Sequence, residues 1–219
     1  MGARTCNYAK WDGSAIGFIV VKLALDEGAK QVWNFAVSVL VDYKEAAKYC
    51  LLGPSSCEVS WKKPPAGVFK INTDGATAND GRQSSIGVII RDCRGETVAA
   101  LCRVLPGCFT VDEIEVLAIE AGILLAKDLD LHQIVIELDS LSTVNSILSK
   151  DFSGGLGHIV NGILSSLDGF SSWQVRHLKR DFNRVAHELA HFARCDNVNQ
   201  VWRGVSPLVV RNLIHLDCL

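Results

Sequence analysis

The sequence predicts an α/β domain over residues 61–195, with a sheet that is antiparallel in one part and parallel in another. Three stretches predict it. From Val68 to Ala76 the chain alternates Phe69, Ile71 and Thr73 against Lys70, Asn72 and Asp74, the two-residue period of a strand. Residues 84–91 and 96–104 are apolar runs, the first rich in β-branched residues, joined by the short turn Asp92-Cys93-Arg94-Gly95, which makes them an antiparallel hairpin. Gln133–Leu138 is nearly continuous in its apolar character and passes straight into a helical stretch, as expected of a buried parallel strand.

Composition sets the outer bounds. The 219 residues are 48% hydrophobic and 21% charged, values typical of a globular chain. With a net charge of −2, no whole-molecule field draws the protein to nucleic acid, so such a partner must be held by a local patch. The eight cysteines contain no Cys-x-x-Cys pair and spread from Cys6 to Cys218, which predicts reduced, mostly buried thiols in an intracellular protein, nuclear or cytoplasmic. Cys6 stands where a myristoylation motif needs Ser or Thr. The apolar run 15–25 is interrupted by Lys22 and is too short for a bilayer, so no membrane contact is expected. A monomer is the expected state. Residues 1–60 form an extension in which Trp33, Val37, Leu40, Val41 and Ala47 predict one amphipathic helix over 31–49. Gly53-Pro54-Ser55-Ser56 reads as a linker. No function follows from this extension.

Within the domain each element has a local signal. The first strand starts after Pro64-Pro65 and ends in Asp74, followed by the small residues Gly75 and Ala76. A strand-terminal carboxylate so backed is suited to hold a metal or a reacting group, though an ordinary Asp-Gly turn has the same sequence. Pro106-Gly107 closes the hairpin. Thr110 and Glu113 form a capping box that opens a helix running to about Lys127. On it Glu115, Ala118 and Gly122 share one face, so the helix can sit close to a sheet with Glu115 across its end; a solvated Glu is the alternative. Gln133–Leu138 delivers Asp139, either the N-cap of the helix Leu141–Ser149 or a second strand-terminal carboxylate placed like Asp74. After Ser153-Gly154-Gly155, a helix over 156–167 and a strand over 173–178 follow. The last main helix begins near Asn183, and residues 196–219 form a tail packing on the domain.

Four blocks on these elements resemble the signature of ribonuclease H. They are Lys70-Ile71-Asn72-Thr73-Asp74-Gly75-Ala76, Ile114-Glu115-Val116-Leu117-Ala118, Ile136-Glu137-Leu138-Asp139-Ser140, and Asn183-Arg184-Val185-Ala186-His187-Glu188-Leu189-Ala190. The sequence is most similar to the plant ribonuclease H-like proteins related to non-LTR retroelements. Trp61-Lys62-Lys63-Pro64-Pro65 and the trailing Trp202, Pro207, Leu213 and Asp217 also resemble that group. The likeness covers about residues 61–217.

The resemblance implies a five-stranded mixed sheet, three antiparallel strands then two parallel, with helices on both faces. It also implies endonucleolytic cleavage of the RNA strand of RNA–DNA hybrids by two Mg²⁺ ions held on four acidic residues. Asp74, Glu115 and Asp139 occupy three of those positions as catalytic metal ligands. His187 occupies the fourth, where the most familiar relatives have Asp, and Glu188 beside it points about 100° away. Imidazole suits softer metals than Mg²⁺, so the substitution implies reduced activity, a preference for Mn²⁺, or its loss. The resemblance also implies that His177 could assist product release, as a mobile His does in relatives, with a surface imidazole as the alternative. Lys179, Arg180, Asn183 and Arg184, with Arg176 and Arg194 and set against Asp181 and Glu188, make a segment for contact with a hybrid or another duplex, a solvated charged surface being the alternative. Two other functions compete. One is a nucleic-acid-binding module whose catalysis has decayed. The other is a zinc protease, since His187-Glu188-Leu189-Ala190-His191 satisfies His-Glu-x-x-His. Arg194 stands where the extended zinc motif needs Gly, and only Asp196, His215 and Asp217 follow as third ligands.

Overall fold

The computed structural model describes residues 61–77, 83–107, 109–150 and 155–217. The predicted helix over 31–49 and the linker at 53–56 lie outside them. The described residues belong to one compact unit beginning at Val59.

In chain order the elements are β1 (Phe69–Thr77), β2 (Gln83–Arg91), β3 (Thr97–Pro106), α1 (Val111–Asp128), β4 (Gln133–Leu138), α2 (Leu141–Ser149), α3 (Gly157–Leu167), β5 (Ser172–His177), α4 (Arg184–Asp196), β6 (Gln200–Arg203) and α5 (Arg211–Asp217). The strands form one sheet in the order β5-β4-β1-β2-β3-β6. The β1–β2 and β2–β3 pairs are antiparallel, and β4 and β5 extend the sheet in parallel from β1. The sheet has six strands rather than the expected five. The extra one, β6, comes from the region expected to be a packing tail and pairs antiparallel with Ala99–Cys102 of β3.

The alternation read from the sequence sorts the two faces. On one, Ile71, Val88, Ile90, Ile134 and Ile136 meet the apolar sides of α1, α2 and α3. On the other, Ile89, Ala100 and Cys102 meet Val185, Leu189 and Ala193 of α4, together with Val210 and Ile214. Two glycines allow the close approaches. A Cβ on Gly87 would lie 2.2 Å from the Ala186 carbonyl oxygen, so α4 rests on bare β2 backbone. One on Gly75 would lie 2.6 Å from an Ile114 methyl, so the start of α1 is drawn against the end of β1. Of the described cysteines only Cys102 is buried; Cys93 and Cys195 are exposed, contrary to the expectation of mostly buried thiols. Among the described residues no helix is long and apolar enough to cross a membrane.

Candidate active site

Lys70, Asn72 and Asp74 alternate with Ile71 and Thr73, and so point to the α4 side of the sheet. In β4, Glu137 and the following Asp139 have the same parity as Val135, opposite Ile134, Ile136 and Leu138. The parallel register of β1 and β4 therefore brings the two strand ends, and with them Asp74 and Asp139, to one edge. Glu115 reaches this edge from the other side of the sheet. The capping box predicted at Thr110 and Glu113 fixes where α1 starts, both of its hydrogen bonds being formed. Ligand oxygens of Asp74, Glu115 and Asp139 all lie within 4.8 Å of one another, the one such metal-competent group among the described residues.

Asp139 is not the cap of α2. Ser140 takes that role, its hydroxyl accepting the Thr143 amide hydrogen, which leaves the Asp139 carboxylate for the cluster. Asp74 and Glu115 are buried and Asp139 half-buried. Burial, and then the charges of Asp74 and Asp139, push the Glu115 carboxyl up to about 9, opposed by a backbone hydrogen bond from Gly75. Asp139 is raised in the same sense, first by burial and then by Asp74. The buried Glu115 Oε2 has no hydrogen-bond partner.

A crowded set of carboxylates with one orphaned buried oxygen is poor as an isolated structure and well matched to a hard divalent cation. The donor set fits Mg²⁺ or Mn²⁺. All-oxygen ligation does not suit a softer metal as well.

His187 completes the cluster as a partner of Asp74, Nδ1 lying 2.7 Å from Oδ2. That hydrogen bond raises the imidazole's proton affinity, and partial burial opposes it. The zinc motif is not assembled. His187 is committed to Asp74, while His191 is exposed one turn on, 3.5 Å from the Cys195 sulfur by Nε2. Of the three proposed third ligands, Asp217 is ion-paired to the buried Arg91 at 2.7 Å, and Asp196 and His215 are exposed. Glu188 is half-buried and contributes no oxygen to the converging group.

The predicted nucleic-acid residues divide. Lys179, Arg180 and Arg184 are exposed, as is His177 at the end of β5. Arg180 acts on the site itself, its charge lowering the proton affinity of both Asp139 and His187. Asn183 is not on the surface: it is 1% exposed and its side-chain amide donates to the Thr73 carbonyl at 2.9 Å, which fastens the start of α4 to β1, while its buried Oδ1 has no hydrogen-bond partner. Sequence reasoning also missed a buried polar layer beneath the site, where Glu137 pairs with Lys70 and accepts a hydrogen bond from Asn72. Its signal is Lys70 and Asn72 alternating through β1 and the single Glu137 that interrupts the apolar run of β4.

A family model described as reverse transcriptase-like matches residues 72–193. A candidate ribonuclease H protein of Arabidopsis thaliana is 27% identical over 139 residues, 62% of this chain. The aligned part is only 22% of that relative's length. Among solved structures, ribonuclease H1 of the halophilic archaeon Halobacterium salinarum has a TM-score of 0.56 at 23% identity. The match spans 59% of this chain and 98% of that one. LC11 ribonuclease H1, solved in complex with an RNA/DNA hybrid, has a TM-score of 0.54 at 20% identity, over 59% of this chain and 98% of that one. These structural likenesses establish the fold.

Proposed function

Because the chain belongs to the reverse transcriptase-like family and has the ribonuclease H-like fold, we propose that it hydrolyses the RNA strand of RNA–DNA hybrids. The observation that carries this reading is the convergence of Asp74, Glu115 and Asp139 around the unpartnered Glu115 Oε2. These three residues would hold Mg²⁺ or Mn²⁺. A divalent ion there supplies positive charge to a phosphodiester and a water more acidic than bulk water. Glu115 must give up its proton to become a ligand, and the cation's charge would offset the burial and the repulsion from Asp74 and Asp139 that keep the proton on. Exposed Lys179, Arg180 and Arg184 would contact phosphates, and discrimination of RNA from DNA would rest on 2′-hydroxyls and groove shape.

Three carboxylates balance one divalent ion and leave a second one under-neutralised. His187 adds no negative charge, so a tightly held first ion and a weak second one are expected, with slow turnover that improves in Mn²⁺. The same imidazole favours the second reading, a module that binds duplexes without cutting them. Hybrid cleavage and zinc content, measured for wild type and His187→Asp, separate the readings. The nuclease reading predicts slow wild-type cleavage, faster Mg²⁺-dependent cleavage in the variant, and little zinc in either. A duplex binder without catalysis would cut nothing as wild type under either metal. Stoichiometric zinc lost from the variant would end the nuclease assignment of α4.

A further inference from the structure

The β1–β4 ladder stops two residues short of the carboxylates it positions. Its last register pair is Asn72 with Glu137; beyond it β1 continues against β2 alone, and β4 ends at Leu138. Side chains take over at that pair. The Asn72 amide donates to Glu137 Oε2 at 3.2 Å, and Glu137 Oε1 is paired with Lys70 Nζ at 2.8 Å. Lys70 also donates to the Lys62 carbonyl at 2.6 Å. Asn72 is itself held from the other side, its Oδ1 accepting from Trp61 Nε1 at 3.2 Å and from Arg91 at 2.9 Å. All these side chains are buried.

Nothing in the proposed chemistry uses this layer, and a buried ion pair is commonly no more stable than an apolar pair of the same volume. Its hydrogen bonds do what an apolar pair does not: they fix separation and register directionally. That matters here because Asp74 and Asp139 each lie two residues beyond the last β1–β4 pair, where no ladder hydrogen bond between the two strands fixes their separation. We infer that the Asn72–Glu137 hydrogen bond is a clamp holding the carboxyl ends of β1 and β4 together, which makes Asn72 and Glu137 positioning residues for the cation site. The inference rests on the reading of Asp74, Glu115 and Asp139 as that site.

Two double variants isolate the clamp from the ion pair. Lys70→Met/Glu137→Leu removes both the ion pair and the acceptor for Asn72, whereas Lys70→Met/Glu137→Gln removes the ion pair and keeps an acceptor. Each deletes the charges together, so both should fold, which cooperative urea unfolding checks. Amide hydrogen exchange in the metal-free protein should be faster along the β1–β4 ladder for the Leu double than for the Gln double and wild type. Mn²⁺ affinity, followed by electron paramagnetic resonance, should fall by about 10-fold in the Leu double, the usual cost of losing a residue that orients metal ligands. The Gln double should restore it. Equal exchange and equal Mn²⁺ affinity in the two doubles would overturn the clamp. If Asp74→Asn binds Mn²⁺ as wild type does, the cation site itself is wrong, and the exchange comparison alone then decides the clamp.

Discussion

Glu115→Gln should make the metal-free protein more stable at neutral pH. An ordinary Glu titrates near 4.5, and here burial and two neighbouring carboxylates push Glu115 to about 9. A carboxyl with raised proton affinity in the folded state costs nothing below its ordinary value. It destabilises the fold increasingly as pH rises from there towards the folded-state value. At pH 7 the gap is about two and a half decades, each worth about 1.4 kcal/mol, so the cost is about 3 kcal/mol. At pH 5 it is under about 1 kcal/mol. Gln is nearly isosteric, keeps an oxygen for the Gly75 hydrogen bond and has no proton to acquire. Urea unfolding in EDTA should therefore show the variant ahead of wild type by about 3 kcal/mol at pH 7, with the gap closing at pH 5. Millimolar Mn²⁺ should reverse the order, because only wild type keeps the full set of ligands. A variant no more stable than wild type at pH 7, or one whose advantage does not grow with pH, would refute this account of the buried acid.

Other substitutions test other parts of the structure. Arg180→Ala should weaken hybrid binding and lower the salt slope of log affinity by about one, and it should raise the proton affinity of Asp139. Fluorescence anisotropy across a salt series reads the first effect; an unchanged slope would take Arg180 out of the duplex contact. Gly87→Ala forces a methyl into the α4 backbone and should cost about 3 kcal/mol in urea unfolding. A loss within about 0.5 kcal/mol would mean that α4 does not sit where the structure puts it.

The legible parts of this protein were those fixed by local pattern. Strict alternation in β1 put Asp74 on a defined face, the Thr110–Glu113 box fixed the start of α1, and a continuous apolar run marked β4 as a buried parallel strand. Those signals bring Asp74, Glu115 and Asp139 to one edge. What escaped depended on partners distant in sequence. β6 is four residues with one half-buried side chain, too short for a period, and exists because β3 offers it a ladder. Asn183 was grouped with the neighbouring basic residues as a nucleic-acid contact, but its amide satisfies a β1 carbonyl 110 residues away. Arg91 reads as the polar end of a strand, yet it is wholly buried and paired with Asp217, 126 residues on. Asp139 was ambiguous for a different reason. Asp and Ser are both good caps, and only geometry shows that Ser140 takes the role.

The most direct test of the central claim is strand-specific cleavage. An RNA–DNA hybrid labelled separately on each strand should be incubated with wild type and with Asp74→Asn, in Mg²⁺ and in Mn²⁺. The account predicts internal cuts in the RNA strand alone, faster in Mn²⁺ and dependent on the metal. It predicts none from Asp74→Asn, which should still unfold cooperatively. Undiminished cleavage by Asp74→Asn, or cleavage by wild type that survives EDTA, would contradict it.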